Sequence, residues 1–112
     1  MPKQKTIVWS SQSYGTGLAG SFTANGGSVR VFFAGSAYSR SASATLAVNL
    51  VIDNNVQMTL NGYTNEANSH KSLVPAIAEL SLGSGSHNVS LSTSGSTVID
   101  LNDYFTLEVS SK

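Results

Sequence analysis

There is no cysteine in the 112 residues. Disulfide frameworks, thiolate metal sites and cysteine nucleophiles are excluded with it. The compartment stays open, since a secreted domain with an adequate core can do without crosslinks. Charge is scarce too. Six Lys and Arg balance six Asp and Glu, and only 11% of residues are charged. Lys3, Lys5, Arg30, Arg40, Lys71 and Lys112 are scattered, with no basic run to follow a phosphate backbone. Nucleic-acid binding is not expected, because counterion release needs clustered cations. No apolar run approaches the roughly 18 residues that read as a membrane-spanning helix. Thr6-Ile7-Val8-Trp9, behind Met1–Lys5, is also too short for a signal-peptide core. Neither membrane insertion nor a cleaved leader is expected.

What replaces charge is Ser, Thr, Asn and Gly. Their surface presents many neutral hydrogen-bonding groups and weak fields, which suits carbohydrate contact or self-packing better than electrostatic steering. The length fits one domain, 1–112, with residues 1–5 a flexible N-terminus. A domain of this size hides roughly two thirds of its unfolded surface, enough for one core.

The hydrophobic period is two. Val29, Val31 and Phe33 share one parity, as do Leu46, Val48, Leu50 and Ile52. Val56, Met58 and Leu60, then Val89 and Leu91 behind His87, then Phe105, Leu107 and Val109 repeat the pattern. Such alternation marks strands with one buried face. Leu73–Leu82 could tempt a helix reading, but Pro75 and the parity of Ile77 and Glu79 favour a strand. Asn25-Gly26-Gly27, Asp53-Asn54-Asn55, Gly83-Ser84-Gly85-Ser86 and Ser94-Gly95-Ser96 read as turns. About eight strands result, the spacing of a sandwich or barrel. Tyr14–Gly20 reads as a small-residue connection. Asn61–Ser72 is the longest polar segment and reads as the principal exposed loop, a common place for binding contacts.

Parity also exposes a surplus. If Val31 and Phe33 point inward, Phe32 points outward; the same reasoning sends Ala47 and Val51 outward from the strand that buries Val48 and Leu50. Near the end of the chain, Val98 cannot share a face with Ile99 and Leu101. Strands apolar on both faces need a second cover, either the chain's own loops or another copy. Burying a Phe is worth about 1.5–3 kcal/mol, which favours the homo-oligomer. Phe32, Val51 and Val98 are its candidate interface residues.

The last third of the chain resembles a known family. Leu80-Ser81-Leu82-Gly83-Ser84-Gly85-Ser86-His87-Asn88-Val89-Ser90-Leu91, followed by Asp103-Tyr104-Phe105-Thr106-Leu107-Glu108-Val109, is similar to the closing strands of C1q/TNF-like jelly rolls, bacterial and phage tail-fibre versions included. The resemblance implies an antiparallel jelly-roll β-sandwich forming a homotrimer on a virion or extracellular surface. Its loops at one end would contact a glycan or protein receptor. The 112 residues contain no collagen-like Gly-X-Y tract, so a stand-alone protein and an excised head are both open.

Catalysis is not expected. Any of many serines could be matched on paper to His70 or His87, but no Gly-x-Ser-x-Gly elbow singles one out. Asp100-Leu101-Asn102-Asp103 offers oxygens that calcium would accept, yet short polar side chains in such a cluster usually cap a turn. No metal and no cofactor are therefore expected. His87 reads as a satisfied residue at a sheet margin. His70 with Glu66 would make a pH-sensitive or metal pair, although a histidine in an exposed loop is usually just solvated. Tyr14, Tyr38, Tyr63 and Tyr104 adjoin polar connections, and a tyrosine ring suits sugar faces and protein partners alike. Tyr63, with Asn65, Asn68 and His70, is the best candidate ligand site; Trp9 reads as core or interface. Asn88-Val89-Ser90 fits a glycosylation sequon but lies inside a strand. The expected function is a non-catalytic trimeric head for assembly and recognition. The alternative is a monomeric or dimeric carbohydrate-binding sandwich.

Overall fold

A computed structural model of the protein describes residues 5–15 and 17–111. Among them every regular element is a strand: β1 (Lys5–Ser13), β2 (Ala19–Ser39), β3 (Ala44–Ile52), β4 (Asn55–Thr64), β5 (Lys71–Ser72), β6 (Ala76–Thr93), β7 (Thr97–Val98) and β8 (Tyr104–Ser111). Most of the flexible N-terminus expected over Met1–Lys5 lies outside the described residues. Lys5 itself opens β1, paired with Ser110. No helix is long and apolar enough to cross a membrane among the described residues.

The pairing is antiparallel throughout, in the order β1-β8-β2-β6-β3-β4, with β5 and β7 joining the end of β2. β2 and β6 form a long ribbon that belongs to two layers. Val29–Gly35 of β2 pairs on its other side with β8, whereas Val89–Thr93 of β6 pairs on its other side with β3. The fold is a jelly-roll β-sandwich. One core joins the layers, with Val31, Phe33, Phe105 and Leu107 facing Leu46, Val48, Leu50 and Leu60. Burial follows the alternation of the sequence, and residues between the inward ones stay outside.

Two expected turns are not turns. Asn25-Gly26-Gly27 and Gly83-Ser84-Gly85-Ser86 lie inside β2 and β6, opposite one another, with Asn25 paired to Ser84 and Gly27 to Leu82. Gly26, Gly27 and Gly85 have φ of 90°, 97° and 112°. Positive φ without a Cβ lets both strands turn together as the ribbon passes between layers. Asp53-Asn54 is a true hairpin turn, φ being 51° and 69°, and Ile52 pairs with Asn55 across it. Val56 departs from the expected parity and is exposed. A register shift beside Leu50 moves its partner from the inward to the outward row, so Val56 faces Val51 outside.

The loop expected over Asn61–Ser72 is shorter than its polarity implies. Asn61–Thr64 completes β4 against Ala44–Ala47, and Lys71–Ser72 pairs with Ser36–Ala37. Similarly, Ala19 and Gly20 of the Tyr14–Gly20 connection already belong to β2. Polar residues are at home there because the outward half of each strand is wet. Trp9 is buried in the core, its Nε1–H donating to the Ala19 carbonyl at 3.4 Å.

Candidate functional site

The hydroxyl- and amide-rich chain places its few titratable groups in two clasps. In the first, Asp103 precedes β8 and is fully buried. Its Oδ1 accepts the Ser36 hydroxyl at 2.8 Å and the His70 Nδ1–H at 2.8 Å, while Oδ2 accepts the Asp100 amide at 2.9 Å. Three donors from three segments converge on one carboxyl. His70 also lies against Tyr38, with ring centroids 4.4 Å apart, and its Nε2 is 3.9 Å from Asp100 Oδ2. His70 is therefore held by Asp103 rather than by Glu66, which pairs with Lys71 at 2.8 Å. His70, Asp100 and Asp103 bring one ligand atom each within 4.8 Å of one another, a spacing compatible with a cation. Those of Asp103 and His70 Nδ1 are already engaged in hydrogen bonds of the fold.

The second clasp joins the β3–β4 turn to β6. His87 Nδ1 lies 2.5 Å from Asp53 Oδ2 and Nε2 lies 2.7 Å from the Gly83 carbonyl. A carbonyl and an ionised carboxylate only accept, so this geometry suits the doubly protonated ring. The hydrogen bond to Asp53, then that to Gly83, holds its pKa above the ordinary histidine value. Asp53 is held below the ordinary carboxylate value by the hydrogen bonds of His87 and the Asn88 amide. Phe22 stacks against the ring at 5.5 Å. The parity of His87 was legible in the sequence. Its partner, 34 positions away, was not.

Of the candidate ligand residues, Tyr63 projects from β4 with 58% of its surface exposed. Asn65 and Asn68 are exposed in the loop beyond it. Asn68 adopts φ 59° and donates its amide to the Ser39 carbonyl at 2.7 Å. Thr64 Oγ1 donates to the Glu66 carbonyl at 2.8 Å and accepts the Glu66 amide at 3.0 Å, so the loop is tied at its start. Tyr63 stands on the strand and His70 turns toward Asp103, so the four residues do not converge on one point.

The candidate interface residues also separate. Phe32 stands half-buried on the outer face of the β1-β8-β2-β6 layer. Val51 is half-buried on the outer face of the opposite layer, and Val98 sits on β7 beside Tyr38. The register around Phe32 sets out a row across four strands: Ile7, Glu108, Phe32, Ile77. Ile7 and Ile77 are 56% and 66% exposed. The neighbouring row is Lys5, Ser110, Arg30, Glu79. Lys5 pairs with Glu108 at 2.7 Å and Arg30 with Glu79 at 3.3 Å. A shallow cleft over Phe32 is lined by Lys5, Arg30, Glu108 and Ser110. The outward parity of Ile77 was visible in the sequence; its place beside Phe32 required the register.

No family model matches the chain, and comparison with curated protein sequences finds no match either. Solved structures do match in fold. Dimeric latent PorU from Porphyromonas gingivalis superposes with a TM-score of 0.67 at 12% identity, covering 96% of this chain and 12% of that one. The chain thus spans a small part of that protein's length. The globular domain of zebrafish complement 1qA superposes with a TM-score of 0.55 at 13% identity, covering 97% and 95% of the two chains. The C-terminal domain of EclA, described as a sugar-binding protein, gives 0.50 at 13% identity and covers 96% and 76%. At these identities the likeness is one of fold.

Proposed function

We propose that this domain is a non-catalytic recognition head that assembles as a homotrimer through the outer face of the β1-β8-β2-β6 layer. A receptor or glycan is taken elsewhere on the surface. The observation that carries the reading is the adjacent outward pair Phe32 and Ile77, in a row that Glu108 and Ile7 complete, with Lys5, Arg30 and Glu79 in the neighbouring row. An apolar centre with a charged rim is the anatomy of a protein interface. The resemblance of the closing strands to C1q/TNF-like heads supplies the threefold. A ring also closes naturally by heterologous contacts, in which each copy uses two different patches. Against catalysis stand the two histidines, each held by a carboxylate, with no serine in a hydrogen bond to either ring among the contacts described.

Light scattering behind size exclusion tests the assembly. The expected mass is three times the 11.7 kDa of one chain, and Phe32→Ser should reduce it to one chain with an unchanged far-UV spectrum. A wild-type monomer at micromolar concentration refutes the proposal.

A second reading, a carbohydrate-binding sandwich working as monomer or dimer, is favoured by exposed Tyr63 beside neutral Asn65 and Asn68. Binding on a glycan array, lost in Tyr63→Ala, supports it. A silent array counts against it.

A further inference from the structure

The two layers differ sharply in charge. The β1-β8-β2-β6 layer carries Lys5, Arg30, Glu79 and Glu108 on its outer face. No Asp, Glu, Lys, Arg or His occurs in β3, in β4 or in Asn88–Thr93 of β6. The outer face of that second layer therefore consists of hydroxyls, amides and small apolar groups. Register places Tyr63 beside Thr45, Asn61 beside Ala47, and Thr59 with Ser92 on either side of Asn49.

Asn49 organises this face. Although it points away from the core, it is only 9% exposed. Its Nδ2 donates to Ser92 Oγ at 3.2 Å and to Ser94 Oγ at 3.0 Å, and its Oδ1 accepts the Thr59 hydroxyl at 2.8 Å. The amide thus sets the polarity of its neighbours. Ser92 and Ser94 each accept a hydrogen bond and keep their own O–H to donate; Thr59 donates its O–H and keeps lone pairs to accept. Fixed hydroxyls of alternating sense are held on a rigid sheet. Tyr63 stands about 13 Å from them, four residues along at about 3.3 Å each.

We infer that this face, from Tyr63 to Asn49 and Ser92, is a binding site for a neutral oligosaccharide lying along the strands. The inference rests on the carbohydrate reading above and places the ligand on the sheet rather than in the Asn65–Asn68 loop. The chemistry matches group by group. A sugar offers an apolar face to an aromatic ring and a rim of hydroxyls that both donate and accept. No residue of β3, β4 or Asn88–Thr93 offers a cation to a sialylated, uronic or sulfated glycan. A ligand with many neutral hydroxyls leaves none of these polar groups unpaired, whereas an apolar protein surface would bury them without partners.

Nuclear magnetic resonance of the full chain tests the site, with cellohexaose, laminarihexaose and maltohexaose as probes and a heparin hexasaccharide as the charged control. A neutral glycan array run in parallel extends the search. The expected result is a neutral glycan that shifts the amides of Thr45, Asn49, Thr59, Asn61 and Tyr63. Binding should weaken about tenfold or more in Tyr63→Ala, the loss expected for removing roughly 1.4 kcal/mol of ring contact. Asn61→Asp, an exposed change that installs a charge, should act alike. Shifts at Asn65 and Asn68 with the sheet amides unmoved overturn the sheet site and leave the carbohydrate reading standing. Silence on the array and in all titrations overturns both. Preference for the heparin fragment refutes the neutral ligand. Shifts of the same sheet amides with protein concentration alone assign the face to another copy, which refutes the site.

Discussion

Gly35→Ala tests the packing at the junction of β2 and β8. Gly35 pairs with Phe105, and the ring lies over its α-carbon. A Cβ added there would stand 2.1 Å from Phe105 Cδ1 and 2.3 Å from Cε1. Carbon atoms in contact sit about 3.5–4.0 Å apart, so a single methyl demands a shift of about 1.5 Å. The ring has little room to give. It is 1% exposed and packed between Phe33, with centroids 6.2 Å apart, and Tyr14 at 6.3 Å. Overpacking of an enclosed site costs about 1–3 kcal/mol, and the upper end is expected here. For a domain of this size that lowers Tm by roughly 10 °C or more. Calorimetry of Gly35→Ala, Phe105→Leu and the double variant decides the cause. Leucine leaves space for the methyl, so the double variant should be more stable than the sum of the single effects by about 1 kcal/mol or more. A Gly35→Ala variant that melts within about 2 °C of wild type, a shift below the cost of any real overlap, or strict additivity, refutes the account.

Three further outcomes are expected. Phe33→Ser should abolish the folded far-UV signal, since it removes a fully buried ring and buries a hydroxyl at a cost of about 3–5 kcal/mol or more; Phe32→Ser, one residue away but outside, should leave it intact. Asp103→Ala should lose about 3–5 kcal/mol in urea denaturation, because Ser36, His70 and the Asp100 amide lose a shared buried acceptor. The Asp53–His87 clasp should stabilise the fold only within a pH window. The raised pKa of His87 makes its contribution complete below about 6.5 and lost as pH rises through the folded value, while the lowered pKa of Asp53 makes its contribution complete above about 3.8 and lost as pH falls through its folded value. Titration of the His87 ring by magnetic resonance should give a pKa above 6.5, returning toward it in Asp53→Asn; an unchanged midpoint in that variant contradicts the clasp.

The strands were legible because side chains alternate by simple geometry, so Leu46, Val48, Leu50 and Ile52 announce a buried face whatever lies opposite. The same logic put Phe32 outside. It misread Asn25-Gly26-Gly27 and Gly83–Ser86, because glycine at positive φ serves a bend shared by two strands as well as it serves a hairpin. Only the partner strand distinguishes the two. Val56 was misplaced for a similar reason: a one-residue shift beside Leu50 reverses parity, and no local residue type marks it. Of the candidate site, exposed Tyr63 could be read from its neutral neighbours. The fate of His70 could not, since its partner Asp103 lies 33 positions away in the chain.

The sequence alone determined the all-β class, the inward half of each strand and the shortage of charge, because each depends on residues two apart or on composition. The layering was decided in three dimensions. Which strands became neighbours settled that Ile7, Phe32 and Ile77 form one row and that Asn49 meets Thr59, Ser92 and Ser94. It also brought the uncharged strands β3 and β4 and the uncharged end of β6 together in one layer. Apart from the Asn49–Thr59 contact within one hairpin, such groupings arise from antiparallel pairing across 40 residues or more, and pairing is chosen by the packing of the whole core rather than by any segment within it.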